Sequence, residues 1–151
     1  MAVNPDFKDL FAAFNAVEVR YLVVGAHAVT FHSRPRFTKD LDIWVDPDPQ
    51  NAARVYRALA AFGAPLEGVS ESDFADPDLV FQIGVAPNRI DIVMGIEAVA
   101  FPDAWSRRIE AQYGPCPIHV ISRQDLIANK RALGRPRDRQ DLRALEGGNG
   151  E

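Results

Sequence analysis

Apolar positions along the chain fall into short blocks whose spacing switches between helical and alternating. Phe7, Leu10, Phe11 and Phe14 recur at helical spacing behind Asn4, a natural N-cap, and Pro5, suited to the first helical position. Arg20–Val24 is a compact apolar run that predicts a strand ending at Gly25, with a short helix over Ala26–His32 directly after it. Leu41–Val45 predicts a second strand, stopped by Asp46-Pro47-Asp48-Pro49. Gln50–Phe62 puts Val55, Tyr56, Leu59 and Phe62 on one side of an amphipathic helix closed by Gly63. Leu79–Val85 and Arg89–Met94 predict a hairpin through Ala86-Pro87-Asn88. Arg108–Tyr113 and Cys116–Ile121 predict a weaker one through Gly114-Pro115. Ser122 caps a helix to Leu133 with Gly134 as its stop, and Pro136 opens a last helix to Glu146.

Strands joined both by hairpins and by helical crossovers make an α/β (α+β) fold: a small mixed sheet flanked by helices, with helices at the C-terminus. No Gly-x-Gly-x-x-Gly follows the first strand, which excludes a Rossmann fold. Residues 1–146 read as one domain, and 147–151 as a frayed, disordered tail.

Composition narrows the classes further. The chain has 151 residues, is 47% apolar and carries a net charge of −4, too apolar for a disordered chain and too acidic for a non-specific nucleic-acid binder. No apolar run reaches the ~18 residues of a membrane span, and Met1–Leu10 is too polar for a signal peptide. Cys116 is the single cysteine, which excludes an intrachain disulfide and an all-cysteine metal site, so a cytoplasmic location is expected. Charge is uneven. Residues 67–78 carry only acids, while 123–143 hold seven basic groups against three acids. A basic end suits a bound phosphate group, and equally a solvated helix with ion pairs such as Asp138 with Arg135.

The candidate chemistry centres on Asp40-Leu41-Asp42-Ile43. Alternation along a strand puts Asp40 and Asp42 on one face, ~7 Å apart, where they repel unless a cation lies between them. A hard divalent ion such as Mg²⁺ suits such a pair, as does the plainer reading of an acidic outer face. Asp91 interrupts the apolar strand around Ile90-Asp91-Ile92 and either joins that pair or forms a salt bridge with Arg89 or Arg36. Val24-Gly25-Ala26 is a strand, a sharp turn and a helix start, whose free N–H groups suit a polyphosphate. Trp44 shares the acidic face and either stacks on a base or covers the sheet. His27, His32 and His119 have no metal-ligand spacing and read as structural.

Together, Val24-Gly25-Ala26, Asp40-Leu41-Asp42-Ile43 and Asp91 resemble the DNA-polymerase-β-type nucleotidyltransferase superfamily, whose signature is a strand, Gly-Gly or Gly-Ser, Asp-h-Asp-h and a third Asp on a later strand. The C-terminal run Lys130…Arg135…Asp138…Asp141-Leu142 is similar to small stand-alone AbiEii-type members of type IV toxin–antitoxin systems. The resemblance implies a polymerase-β palm-like fold and Mg²⁺-dependent transfer of a nucleoside monophosphate from an NTP to an acceptor hydroxyl on a tRNA, a protein or a small molecule. It implies two Mg²⁺ ions, or Mn²⁺ in their place, on the catalytic Asp40, Asp42 and Asp91. Nucleotide contacts fall to Gly25, Ala26, Thr38, Lys130 and Arg135, with Lys130 a mobile point charge for the triphosphate. It also implies a cognate toxin or antitoxin partner. Ala26 departs from the usual second Gly or Ser: a hydroxyl contact is lost and the backbone N–H kept. A catalytically degenerate module that binds a nucleotide or a partner is the alternative.

Overall fold

The computed structural model describes residues 3–33, 40–85 and 88–147, so the expectations placed on Arg36, Thr38 and the tail residues 148–151 lie outside the described residues. The chain runs α1 (Pro5–Ala16), β1 (Tyr21–Val24), α2 (Gly25–His32), β2 (Leu41–Val45), α3 (Pro49–Phe62), β3 (Val80–Ile83) and β4 (Ile90–Val93). It continues with α4 (Phe101–Ser106), β5 (Ile109–Tyr113), β6 (Cys116–Val120), α5 (Arg123–Leu133) and α6 (Pro136–Gly147). Local chemistry sets the helix ends. The Asn4 side chain accepts from the N–H groups of Asp6 and Phe7, Ser122 from that of Asp125, and Gly63 and Gly134 close their helices in the left-handed conformation.

Among the described residues, six strands form one mixed sheet in the order β3-β4-β2-β1-β6-β5. β2 and β4 are parallel neighbours, as are β1 and β6, while β1 with β2, β3 with β4 and β5 with β6 are antiparallel. Both expected hairpins are therefore present. One face of the sheet takes α1, where Phe11 and Phe14 pack on Tyr21 at ring separations of 5.9 and 5.5 Å. Tyr21 pairs with Val45, so the neighbouring Trp44 points to the opposite face. There Trp44 is 1% exposed and meets Phe101 of α4 edge-on at 5.0 Å: it covers the sheet rather than waiting for a base.

Two elements are absent from the sequence reading. α4 has six residues, too few to show a helical period, and it forms because Phe101 and Ala104 are buried on the Trp44 face. A 3-10 turn over Glu71–Ala75 sits in the all-acidic stretch, held by a reciprocal Ser70–Asp73 capping box and by burial of Phe74.

Candidate active site

The site is assembled from a single register row. Val24 of β1 pairs with Asp42 of β2, Asp42 with Asp91 of β4, and Asp91 with Gln82 of β3. Equal phase on adjacent strands places these side chains on one face, the face that also carries Trp44. Asp40 lies just before β2, and the hydrogen bond from the Leu41 N–H to the Arg89 carbonyl at 3.0 Å ties that entry to the start of β4. Strand register thus brings Asp40, Asp42 and Asp91 to one corner of the sheet.

Gly25 stands directly over Asp42. Its φ of +66° is a left-handed conformation at the first residue of α2, and a Cβ there would overlap the Asp42 carboxylate, with Cγ at 3.0 Å and Asp42 Cβ at 3.1 Å. Glycine is required twice, for the turn and for the approach. Ala26 follows within the first turn of α2 and lines the same cleft.

The electrostatics are those of crowded acids. Burial, then the charge and hydrogen bond of Asp91, then the charge of Asp40 push the Asp42 carboxyl up to about 6, against a smaller opposing pull from Lys130. Asp91 Oδ1 accepts from Gln82 Nε2 at 3.1 Å. One Arg89 Nη reaches both Asp40 Oδ2 at 3.1 Å and Asp91 Oδ2 at 3.4 Å. The salt bridge expected from Arg89 and the gathering of the acids are therefore both present. The donor chemistry, three crowded carboxylates with hard oxygens, fits a divalent cation of the Mg²⁺ type. Among the described residues no three acid, histidine or cysteine groups are already arranged as a ligand set, since the Arg89 guanidinium sits between Asp40 and Asp91.

The C-terminal helices form the far wall. Lys130 of α5 is only 5% exposed, and its Nζ lies 3.3 Å from Asp138 Oδ1 and 3.1 Å from Asp141 Oδ2, both on α6. Arg135 donates through Nε and Nη to the two Asp138 oxygens at 2.6 and 3.1 Å, and this fork holds the Asp138 carboxyl down at about 2. The Lys130 ammonium is thus engaged by two α6 carboxylates where it lines the cleft. A cleft of about 790 Å³ lies between the two walls, lined by Gly25, Asp40, Asp42, Asp91, Lys130 and Arg135 among others.

The sequence reading passes over Gln82 and takes Arg137 only as one of the basic residues of the last helix. The Gln82–Asp91 pairing is a matter of strand register, which hairpin loop length did not fix. Arg137 lines the cleft but reads as one of several arginines on a charged helix. The histidines have structural partners: His32 Nε2 lies 2.7 Å from the Ile121 carbonyl, and His119 Nδ1 lies 2.7 Å from Glu110. His27 packs edge-on against Phe7, and burial holds its pKa below the ordinary histidine value.

The family model described as nucleotidyltransferase of unknown function (DUF6036) matches residues 2–146. Among solved structures, the lincosamide antibiotic adenylyltransferase LnuA with bound lincomycin is similar at TM-score 0.62 and 18% identity, over 97% of this chain and 98% of that one. TM1012 from Thermotoga maritima is similar at TM-score 0.61 and 15% identity, over 94% and 93%. The antibiotic-resistance factor ANT(2'')-Ia is similar at TM-score 0.60 and 13% identity, over 93% and 80%. At these identities the likeness is one of fold. No curated protein matches the chain significantly. No helix among the described residues is long and apolar enough to cross a membrane.

Proposed function

The chain belongs to the nucleotidyltransferases of unknown function (DUF6036), and we propose that it transfers a nucleoside monophosphate from an NTP to an acceptor hydroxyl, releasing pyrophosphate. The observation that carries this reading is the in-register pair Asp42–Asp91 beneath the Gly25 turn, with Asp40 beside it. Crowding three acids costs stability, and a site that binds cations or phosphates gives that cost a purpose.

Asp40, Asp42 and Asp91 would hold Mg²⁺, which when bound supplies charge neutralisation on the phosphates and acidifies the acceptor hydroxyl. The remaining work falls to the chain itself. The Gly25–Ala26 backbone at the start of α2 offers N–H groups to the triphosphate. The acceptor oxygen attacks the α-phosphorus, the bond to the bridging oxygen breaks, and pyrophosphate carries away the electron pair. Asp91 takes the acceptor's proton, with its orientation fixed by Gln82. Most of the rate then comes from positioning and charge. Thr38, which precedes Asp40, Lys130 and Arg135 complete the proposed nucleotide contacts.

A tRNA, a protein or a small molecule serves as acceptor. Two neighbours of the fold act on antibiotics, which supports the small molecule. A toxin–antitoxin role rests on the likeness of the Lys130…Asp141 run to AbiEii-type proteins, and the lone, buried Cys116 accords with a cytoplasmic site of action. We take residues 1–146 as one domain that carries the whole reaction.

The test is calorimetric titration of the four NTPs, each with Mg²⁺, into wild type and Asp42→Asn. At least one NTP is expected to bind the wild type only with Mg²⁺ and to bind the variant at least about tenfold more weakly, the loss of one charge-assisted contact. Failure of all four to bind the wild type would overturn the proposal.

A further inference from the structure

The acidic corner already holds a cation, the guanidinium of Arg89. One Nη of Arg89 lies 3.1 Å from Asp40 Oδ2 and 3.4 Å from Asp91 Oδ2, on two of the three carboxylates proposed as Mg²⁺ ligands. It is attached differently from the arginines that pair with buried acids elsewhere in the chain. Arg107 is forked onto Asp125 through Nε at 3.0 Å and Nη at 2.8 Å, and Arg135 onto Asp138 through Nε at 2.6 Å and Nη at 3.1 Å. Such two-point forks fix a guanidinium. Arg89 instead shares one Nη between two acids, while its Nε is buried without a hydrogen-bond partner among the described residues. A buried donor left unsatisfied costs free energy that is recovered when the side chain turns to water. The backbone holds its place meanwhile, because the Arg89 carbonyl accepts from the Leu41 N–H at 3.0 Å. The side chain is 38% exposed, so its way out to solvent is open.

We propose that Arg89 is a resident counter-cation that occupies the divalent-cation position between Asp40 and Asp91 and gives it up to Mg²⁺, so that the ligand set is completed by exchange. The inference rests on the nucleotidyltransferase reading and goes beyond it by assigning Arg89 a competing role at that site. Two arguments set the direction of the exchange. A dication attracts each carboxylate twice as strongly as a guanidinium at the same distance, and an ion pair exposed to this degree is weak in water. Mg²⁺ also takes carboxylate oxygens directly and keeps water or phosphate oxygens on its other positions, whereas Arg89 offers two acids one shared Nη. Without the ion, Arg89 offsets the repulsion between Asp40 and Asp91 and so keeps the corner assembled. Every molecule with Arg89 seated is closed to the ion, and the apparent affinity falls by the fraction of molecules in which the position is free.

The experiment titrates Mn²⁺ into metal-free wild type and Arg89→Gln, reading free Mn²⁺ by electron paramagnetic resonance. In parallel, the Arg89 Nε–H signal of isotopically labelled wild type, identified by its absence from Arg89→Gln, is followed by NMR as Mg²⁺ is added. Arg89→Gln is expected to bind Mn²⁺ about tenfold more tightly, since the competing occupant is gone. Its melting temperature should also rise more on addition of Mg²⁺ than that of wild type. In wild type, the Nε–H relaxation should become that of a freely moving side chain, with the same midpoint as Mg²⁺ binding. Equal or weaker Mn²⁺ binding by Arg89→Gln would overturn the assignment, as would an Arg89 signal that stays unchanged while Mg²⁺ saturates the protein. The NMR arm uses wild type alone and decides the matter even where the variant does not fold. Absence of Mn²⁺ binding to both proteins would instead overturn the three acids as a cation site, the reading beneath it, so the two failures are distinguishable.

Discussion

Replacing Lys130 with methionine removes a buried ammonium that lies between two carboxylates of α6. The substitution keeps an unbranched apolar stem of similar length and deletes only the ammonium, so packing changes little. That ammonium is 3.3 Å from Asp138 and 3.1 Å from Asp141, and neither acid is more than 2% exposed. Removing one partner of a buried ion pair typically costs about 3–5 kcal/mol, because the remaining charge stays out of water. Asp138 keeps the Arg135 fork, so the lower end, about 3 kcal/mol, is the working figure here. For a chain of this size that corresponds to a fall of roughly 6–12 °C in melting temperature. Chemical unfolding in urea gives the free energy directly, provided the slope is unchanged. The double variant Lys130→Met/Asp141→Asn supplies the control: with the facing acid neutralised, the pair should cost clearly less than the sum of the single variants. A Lys130→Met loss under about 1 kcal/mol, or strict additivity in the cycle, would refute the view that Lys130 neutralises a buried acidic pair.

Two further outcomes test the acidic corner. Gly25→Ala forces a Cβ into a left-handed position and against Asp42, so about 2 kcal/mol of stability should be lost together with most Mg²⁺-dependent NTP binding. Full binding by a Gly25→Ala protein would show that the close approach is incidental. In metal-free buffer, Asp42 titrates near 6 in the folded chain against 3.8 ordinarily, so the folded state holds the extra proton between those values. The associated stability is present below about pH 4 and is lost as pH rises through about 6. The melting temperature of Asp42→Asn should therefore gain on wild type from pH 4 to pH 7, and a difference that does not vary with pH would contradict the crowding of Asp42 with Asp91 and Asp40.

What could be read from the chain, and what could not, divides along the range of the interactions involved. β2 occupies Leu41–Val45 as its alternation predicts, and α1, α3 and α5 begin and end at their caps, because a cap or a two-residue period is settled by neighbours in sequence. The fold class followed from the same local signals taken in order. Strand neighbours are a different matter. That β2 lies between β1 and β4, and so sets Asp42 beside Asp91, depends on how two crossovers pack, and nothing within either strand encodes it. Gln82 escaped notice for the same reason: it meets Asp91 through register alone. Lys130 shows the limit most plainly. On α5 it stands in a polar, basic stretch that suggests a solvated face, and only the acids that α6 folds over it enclose the ammonium. Burial is a property of the assembled helices, so the place of Lys130 between Asp138 and Asp141 could be drawn only once both helices were in place.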